Sequence, residues 1–153
     1  MLIYFAAPLF SQAERAFNQR LANKLAELGF SVFLPQRDGI ESRKEPYSRM
    51  TPDELQHTIH AVDRERVFEA DILLMVLDGR VPDEGACVEL GLAHAQKHLL
   101  RHDKLVIGLH TDIRGAFPGG KLNAMVRGSL DYVADSEESL FAALEEHRQA
   151  TSD

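Results

Sequence analysis

Glu89 sits in the segment Asp71-Ile-Leu-Leu-Met-Val-Leu-Asp-Gly-Arg-Val-Pro-Asp-Glu-Gly-Ala-Cys-Val-Glu-Leu-Gly-Leu-Ala, in which an apolar run empties into a Gly/Pro turn and then into an apolar helix pattern. A carboxylate set into such a helix costs several kcal/mol unless it is paired or its pKa moves. The N-terminus of that helix favours the Glu89 carboxylate over its neutral acid, and Asp83, just upstream in the more open turn, could serve as a proton carrier. Asp63 sits eight residues before Asp71, on the preceding helix pattern, and can reach the same region. Tyr4 stands in the opening strand. Three acids and a tyrosine without a metal-binding motif suit chemistry at an acetal-like carbon. There one carboxylate attacks or stabilises an oxocarbenium-like centre and another protonates the leaving group.

Plainer readings exist for each residue. Asp83 also fits a helix N-cap, Asp63 a solvated acid in the charged run Asp63-Arg-Glu-Arg, and Tyr4 a core aromatic. His94, His98 and His102 are spaced four apart but lack an acid to complete a ligand set, so no metal is expected. The lone Cys87 reads as a small packing residue.

The elements that must position these groups alternate strand and helix. Strands are expected at Leu2 to Ala6, Ser31 to Leu34, Ile72 to Leu77, Leu105 to Leu109 and, more weakly, Asp131 to Ala134. Capping boxes at Ser11/Glu14 and Thr51/Glu54 open two helices, the first stopped by Gly29 and the second running to about Ala70. A third helix is expected over 85–97, too apolar for a surface helix, and Ser136 opens a last one through about His147. Residues 36–50 carry no periodic signal and read as a long loop.

Near-continuous apolar strands alternating with helices imply a mostly parallel sheet covered on both faces. The expectation is a single α/β domain over 1–153, a doubly wound, flavodoxin-like sandwich around five strands. In such folds ligands bind at the carboxyl ends of the strands. These ends are Tyr4 to Phe10, Pro35 to Gly39, Asp78 to Glu84 and His110 to Met125.

Composition narrows the partners. The 153 residues carry a formal net charge of −7 with no basic run, which argues against a nucleic-acid polymer as partner. One cysteine suits a reducing cytoplasm, no apolar run is long enough to span a membrane, and the N-terminus reads as a strand rather than a signal peptide. No Gly-x-Gly-x-x-Gly or P-loop is present, so no nucleotide cofactor is expected.

Over nearly its whole length the chain resembles the nucleoside 2-deoxyribosyltransferases. The matching features are Ile3-Tyr-Phe-Ala, Asp63 ahead of Ala70-Asp-Ile, Pro82-Asp-Glu-Gly-Ala-Cys-Val-Glu-Leu-Gly91, and Leu122-Asn-Ala-Met125. The resemblance implies ping-pong transfer of 2-deoxyribose between bases, with deoxynucleosides and free nucleobases as substrates and no cofactor. Glu89 matches the nucleophile, Tyr4 the residue that positions it, and Asp63 and Asp83 the acids that hold the base and manage its protonation. Asn123 and Met125 match a segment lent by a neighbouring subunit, which implies a homodimer, or a homohexamer of dimers, with shared active sites. Phe10 and Gly85 are placed among the substrate-binding positions.

Related hydrolases of nucleoside 5′-monophosphates share the Glu-Leu-Gly helix and an Ala-Met-x-Arg-Gly segment similar to Ala124-Met-Val-Arg-Gly128. They surround the phosphate with serines, however, where this chain has Asn123 and Gly85-Ala86. That hydrolase activity and a non-catalytic nucleoside-binding module remain the alternatives. A phospho-accepting receiver domain would need an acidic pair after the first strand, where Ala6-Ala-Pro8 supplies none.

Overall fold

The computed structural model describes residues 1–112 and 122–151. Five strands, β1 (Leu2–Ala6), β2 (Ser31–Phe33), β3 (Ile72–Val76), β4 (Leu105–Leu109) and β5 (Tyr132–Ala134), form one sheet in the order β2-β1-β3-β4-β5. All four pairings are parallel, with Ile3 opposite both Val32 and Ile72, and Met75 opposite Gly108. This is the doubly wound, flavodoxin-like α/β arrangement, and its strand order reverses between β1 and β3.

Side chains alternate across each strand, so β1 feeds two separate cores. Ile3 and Phe5 join Leu74, Ile107 and Leu109 under α1 (Gln12–Glu27) and α6 (Glu137–Ala150), where Leu21, Leu25, Leu140 and Leu144 are buried. Tyr4 and Ala6 face the other way, with Leu73, Met75 and Val106. They lie beneath α3 (Pro52–Glu69) and α4 (Glu84–Leu100), which contribute Val67, Ala86, Leu90 and Ala93. Both expected capping boxes form, Ser11 with Glu14 and Thr51 with Glu54, and Ser136 makes a third with Ser139.

At the amino ends of the strands, the fully buried Lys104 donates its Nζ to the carbonyls of Val67, at 2.6 Å, and Ala70, closing the C-terminus of α3. At the carboxyl ends Asp78 accepts from Thr111 N, Thr111 Oγ1 and Asp112 N, pinning the exit of β4 to that of β3. Among the described residues no helix is long and apolar enough to cross a membrane.

Three local expectations are corrected. The stretch 36–50 is not featureless: Pro35, at N1, starts a one-turn helix α2 (Pro35–Asp38), and a 3₁₀ turn covers Tyr47–Arg49. Both are too short to leave a periodic trace in sequence. The helix expected over 85–97 runs from Glu84 to Leu100, ended by Arg101 in the left-handed region (φ 50°). Nor is it sequestered from solvent, because Val88 is 56% exposed and Leu99 80%. The short α5 (Ala124–Gly128), capped by Asn123, completes the described elements.

Candidate active site

The parity of β1 decides where Tyr4 goes. Pointing to the α3/α4 side, it is fully buried, stacks on Phe33 (centroids 5.6 Å apart) and donates its hydroxyl to Glu89 Oε1 at 2.6 Å. Glu89 reaches this point from the second turn of α4. Asp83 is the N-cap of the same helix, with Oδ1 accepting from Ala86 N at 2.9 Å, so the turn residue and the cap residue are one. Asp63 comes from the fourth turn of α3, packed alongside.

These three carboxylates line one cavity of about 390 Å³ at the carboxyl ends of β1, β2 and β3. Its other walls include Leu9, Phe10, Pro35, Ile40 and Ile59, with Gly39 and Gly85 in the rim. The floor is therefore acidic and the walls apolar, which suits a flat heteroaromatic base held over a polar sugar. Gly39 is sterically required, since a Cβ there would stand 2.5 Å from the carbonyl oxygen of Pro35. Any side chain would have to push α2 away from the wall it forms.

Burial dominates the electrostatics. It raises the Glu89 pKa to about 7, opposed by the hydrogen bond from Tyr4 and reinforced by the charges of Asp63 and Asp83. Burial also raises Asp63, with His60 pulling the other way. Burial and the Glu89 charge beside it push the Tyr4 hydroxyl far above its ordinary range, so it stays a hydrogen-bond donor at any working pH. A carboxylate with one oxygen held by a tyrosine and the other available can attack an electrophilic carbon. A nearby acid can carry the proton the leaving group needs.

The structure thus brings together Glu89, Asp83, Asp63 and Tyr4, and sets Phe10 and Gly85 at the cavity rim. It does not bring Asn123 and Met125 there. Both are exposed on α5, Met125 at 79%, and neither lines this cavity; Asn123 Oδ1 accepts from Met125 N at 2.8 Å. Ile40 and Ile59 were not singled out in sequence. Ile59 stands four residues before Asp63, hence on the same helical face, and that spacing was the available signal. In the histidine trio, His94 and His98 pack ring against ring at 4.2 Å, and among the described residues no group of three or more His, Cys, Asp or Glu is arranged as a metal ligand set.

The fold and the cleft define an α/β protein with a carboxylate-floored site at the switch point of a parallel sheet. The chain belongs to the nucleoside 2-deoxyribosyltransferase family, whose model matches residues 3–142. It is accordingly an enzyme of a class that works on nucleosides and their bases. No curated protein sequence matches it. Among solved structures it is similar to a conserved protein from Enterococcus faecalis V583, at 28% identity and TM-score 0.77 over 98% of both chains. A 2-deoxyribosyltransferase from Bacillus psychrosaccharolyticus shares the fold at 21% identity and TM-score 0.71, over 92% of this chain and 90% of that one. A CMP N-glycosidase from Clostridium botulinum shares it more distantly, at 17% and 0.56 over 96% and 99%.

Proposed function

We propose that this protein transfers 2-deoxyribose from a 2′-deoxyribonucleoside to another purine or pyrimidine base through a covalent deoxyribosyl-Glu89 intermediate. The observation that carries the reading is the Tyr4–Glu89 hydrogen bond of 2.6 Å at the floor of a cavity that also holds Asp83 and Asp63. In the first half-reaction a Glu89 carboxylate oxygen bonds to C1′ as the N-glycosidic bond breaks. The bonding pair leaves with the base, whose nitrogen takes a proton carried by Asp83. In the second, a nitrogen of the incoming base attacks C1′, the ester bond to Glu89 breaks, and the proton lost from that nitrogen returns to Asp83. Tyr4 orients Glu89 throughout, and Asp63 holds the base.

Hydrolysis of nucleoside 5′-monophosphates is the second reading, kept alive by the likeness to the CMP N-glycosidase. The cavity speaks against it: its described lining has three carboxylates and no cationic side chain to receive a phosphate dianion. Arg127, the basic residue of the hydrolase-like segment, donates to the Leu130 carbonyl at 3.3 Å.

The deciding assay supplies deoxyinosine and adenine and follows products by chromatography. Deoxyadenosine with released hypoxanthine supports transfer. Hypoxanthine alone would mean hydrolysis. Turnover of deoxynucleoside monophosphates alone would install the second reading, and binding without turnover would reduce the protein to a sensing module. Asn123 and Met125, outside their own chain's cavity, fit the proposal that a neighbouring copy in a homodimer or homohexamer receives them. The reaction is assigned to one unit spanning 1–153, in the cytoplasm.

A further inference from the structure

The buried seam of α1 is interrupted by an amide. Asn18, Leu21, Ala22 and Leu25 recur at helical spacing, and all four are buried. Asn18 is 2% exposed. An amide so placed costs free energy unless it is hydrogen-bonded, and asparagine is a poor helix former besides. Bonds to two different segments offset that cost. Asn18 Nδ2 donates to the Pro8 carbonyl at 2.9 Å and to Gln36 Oε1 at 3.1 Å. Gln36 Nε2 in turn donates to the Arg15 carbonyl at 2.9 Å. Main-chain carbonyls end this chain of bonds on both sides and can only accept, which fixes the orientation of both amides.

The two partners of Asn18 stand behind two walls of the candidate cavity. Pro8 lies between Ala7 and Leu9, on the way from β1 to α1, and Gln36 lies in α2 between Pro35 and Arg37. Ala7, Leu9, Phe10, Pro35, Gly39 and Ile40 line the cavity, whereas Pro8, Asn18 and Gln36 do not. The amides of α2 bond locally, Arg37 and Asp38 to the Leu34 carbonyl and Gly39 to that of Pro35. A single helical turn is not stable by itself, so what holds it from outside matters. Asn18, reaching over from α1, joins that turn to the exit of β1.

We propose that Asn18 is a positioning residue for the reaction: bracing the Pro8 and Gln36 segments from behind, it sets the spacing of the apolar walls that receive the nucleobase. It touches no substrate itself. The assignment rests on the deoxyribosyl transfer proposed above. Both half-reactions use the same slot, for the leaving base and then for the entering one, so a loosened brace weakens donor and acceptor alike. The acids come from α3 and α4 and take no part in the brace. Once substrate is seated, chemistry at C1′ therefore keeps its rate.

Steady-state kinetics and amide hydrogen exchange on two variants test this. Asn18→Leu keeps the bulk of the side chain and removes both donated bonds. Gln36→Leu, at a half-buried position, cuts the α2 arm but leaves the bond to Pro8, and serves if the first variant fails to fold. In each, KM for deoxynucleoside and for acceptor base should rise roughly fivefold or more, about the worth of one hydrogen bond, with kcat changed less. The double variant should raise KM by less than the product of the singles, because both remove the Asn18–Gln36 bond. Without substrate, the amides of Arg37, Asp38 and Gly39 should exchange faster in both variants. Unmoved KM values with lowered stability or kcat would make Asn18 merely structural and overturn the proposal. Unchanged exchange of the α2 amides in both variants would overturn the brace itself. A wild type that transfers no deoxyribose defeats the reaction instead, and the exchange rates then judge the brace separately.

Discussion

In the proposed reaction Glu89 meets two opposing demands, ionisation for attack and burial for a dry site, and burial lifts its pKa to about 7. Since attack needs the carboxylate, kcat/KM for a neutral deoxynucleoside should fall about tenfold per pH unit below 7 and level off above it. A flat profile from pH 5 to 8 would contradict this. The same shift has a stability consequence of opposite sense. A folded-state pKa raised from 4.5 to about 7 means the folded protein binds more protons in that window, so stability is lost as pH climbs through it. Glu89→Gln should therefore be inactive, yet more stable than the wild type above pH 7, by up to about 3 kcal/mol in urea titration. Tyr4→Phe removes the hydrogen bond that holds the Glu89 pKa down. Its acidic limb should move to higher pH, and its maximal rate should drop by about tenfold or more. An unmoved limb would reduce Tyr4 to a packing residue.

At the scale of elements, β1, β3 and β4 were legible because buried parallel strands are apolar on both faces. The starts of α1 and α3 were legible because Ser11/Glu14 and Thr51/Glu54 spell their caps locally. Asp83 and Glu89 could be placed by the turn-helix junction they occupy. Ile40 could not, because its place in the cavity depends on how residues 36–50 fold back, and α2 is one turn long. The exposure of Val88 and Leu99 was equally hidden, because so many apolar residues in one helix segment read as buried. The wall made by α2 offers a test. Gly39→Ala puts a methyl against the Pro35 carbonyl and should displace that wall. KM for the nucleoside is then expected to rise severalfold with kcat changed less, as steady-state kinetics would reveal. An unchanged KM would show that substrate does not lean on α2.

Across the whole molecule, the ends of the sheet do different work. The carboxyl ends gather the acids, and the amino ends are closed by the buried Lys104, whose pKa burial lowers to about 8 against the pull of Asp71. Here the unfolded chain binds the extra proton between pH 8 and 10.5, so the Lys104 contribution to stability should rise with pH across that window. Lys104→Met should abolish this rise. Denaturation at several pH values reads the effect.

The two-sided parity of β1 reaches further still. Tyr4 faces the α3/α4 layer, from which Asp63, Asp83 and Glu89 all come, while Ile3 and Phe5 face the α1/α6 layer. An engineer seeking a heat-tolerant version has, in that second layer, a workshop separated from the chemistry by the thickness of the sheet. Repacking Leu21, Leu25, Leu140 and Leu144 there can harden the protein without touching the acids, sparing it the loss of activity that usually follows stabilisation near a strained site.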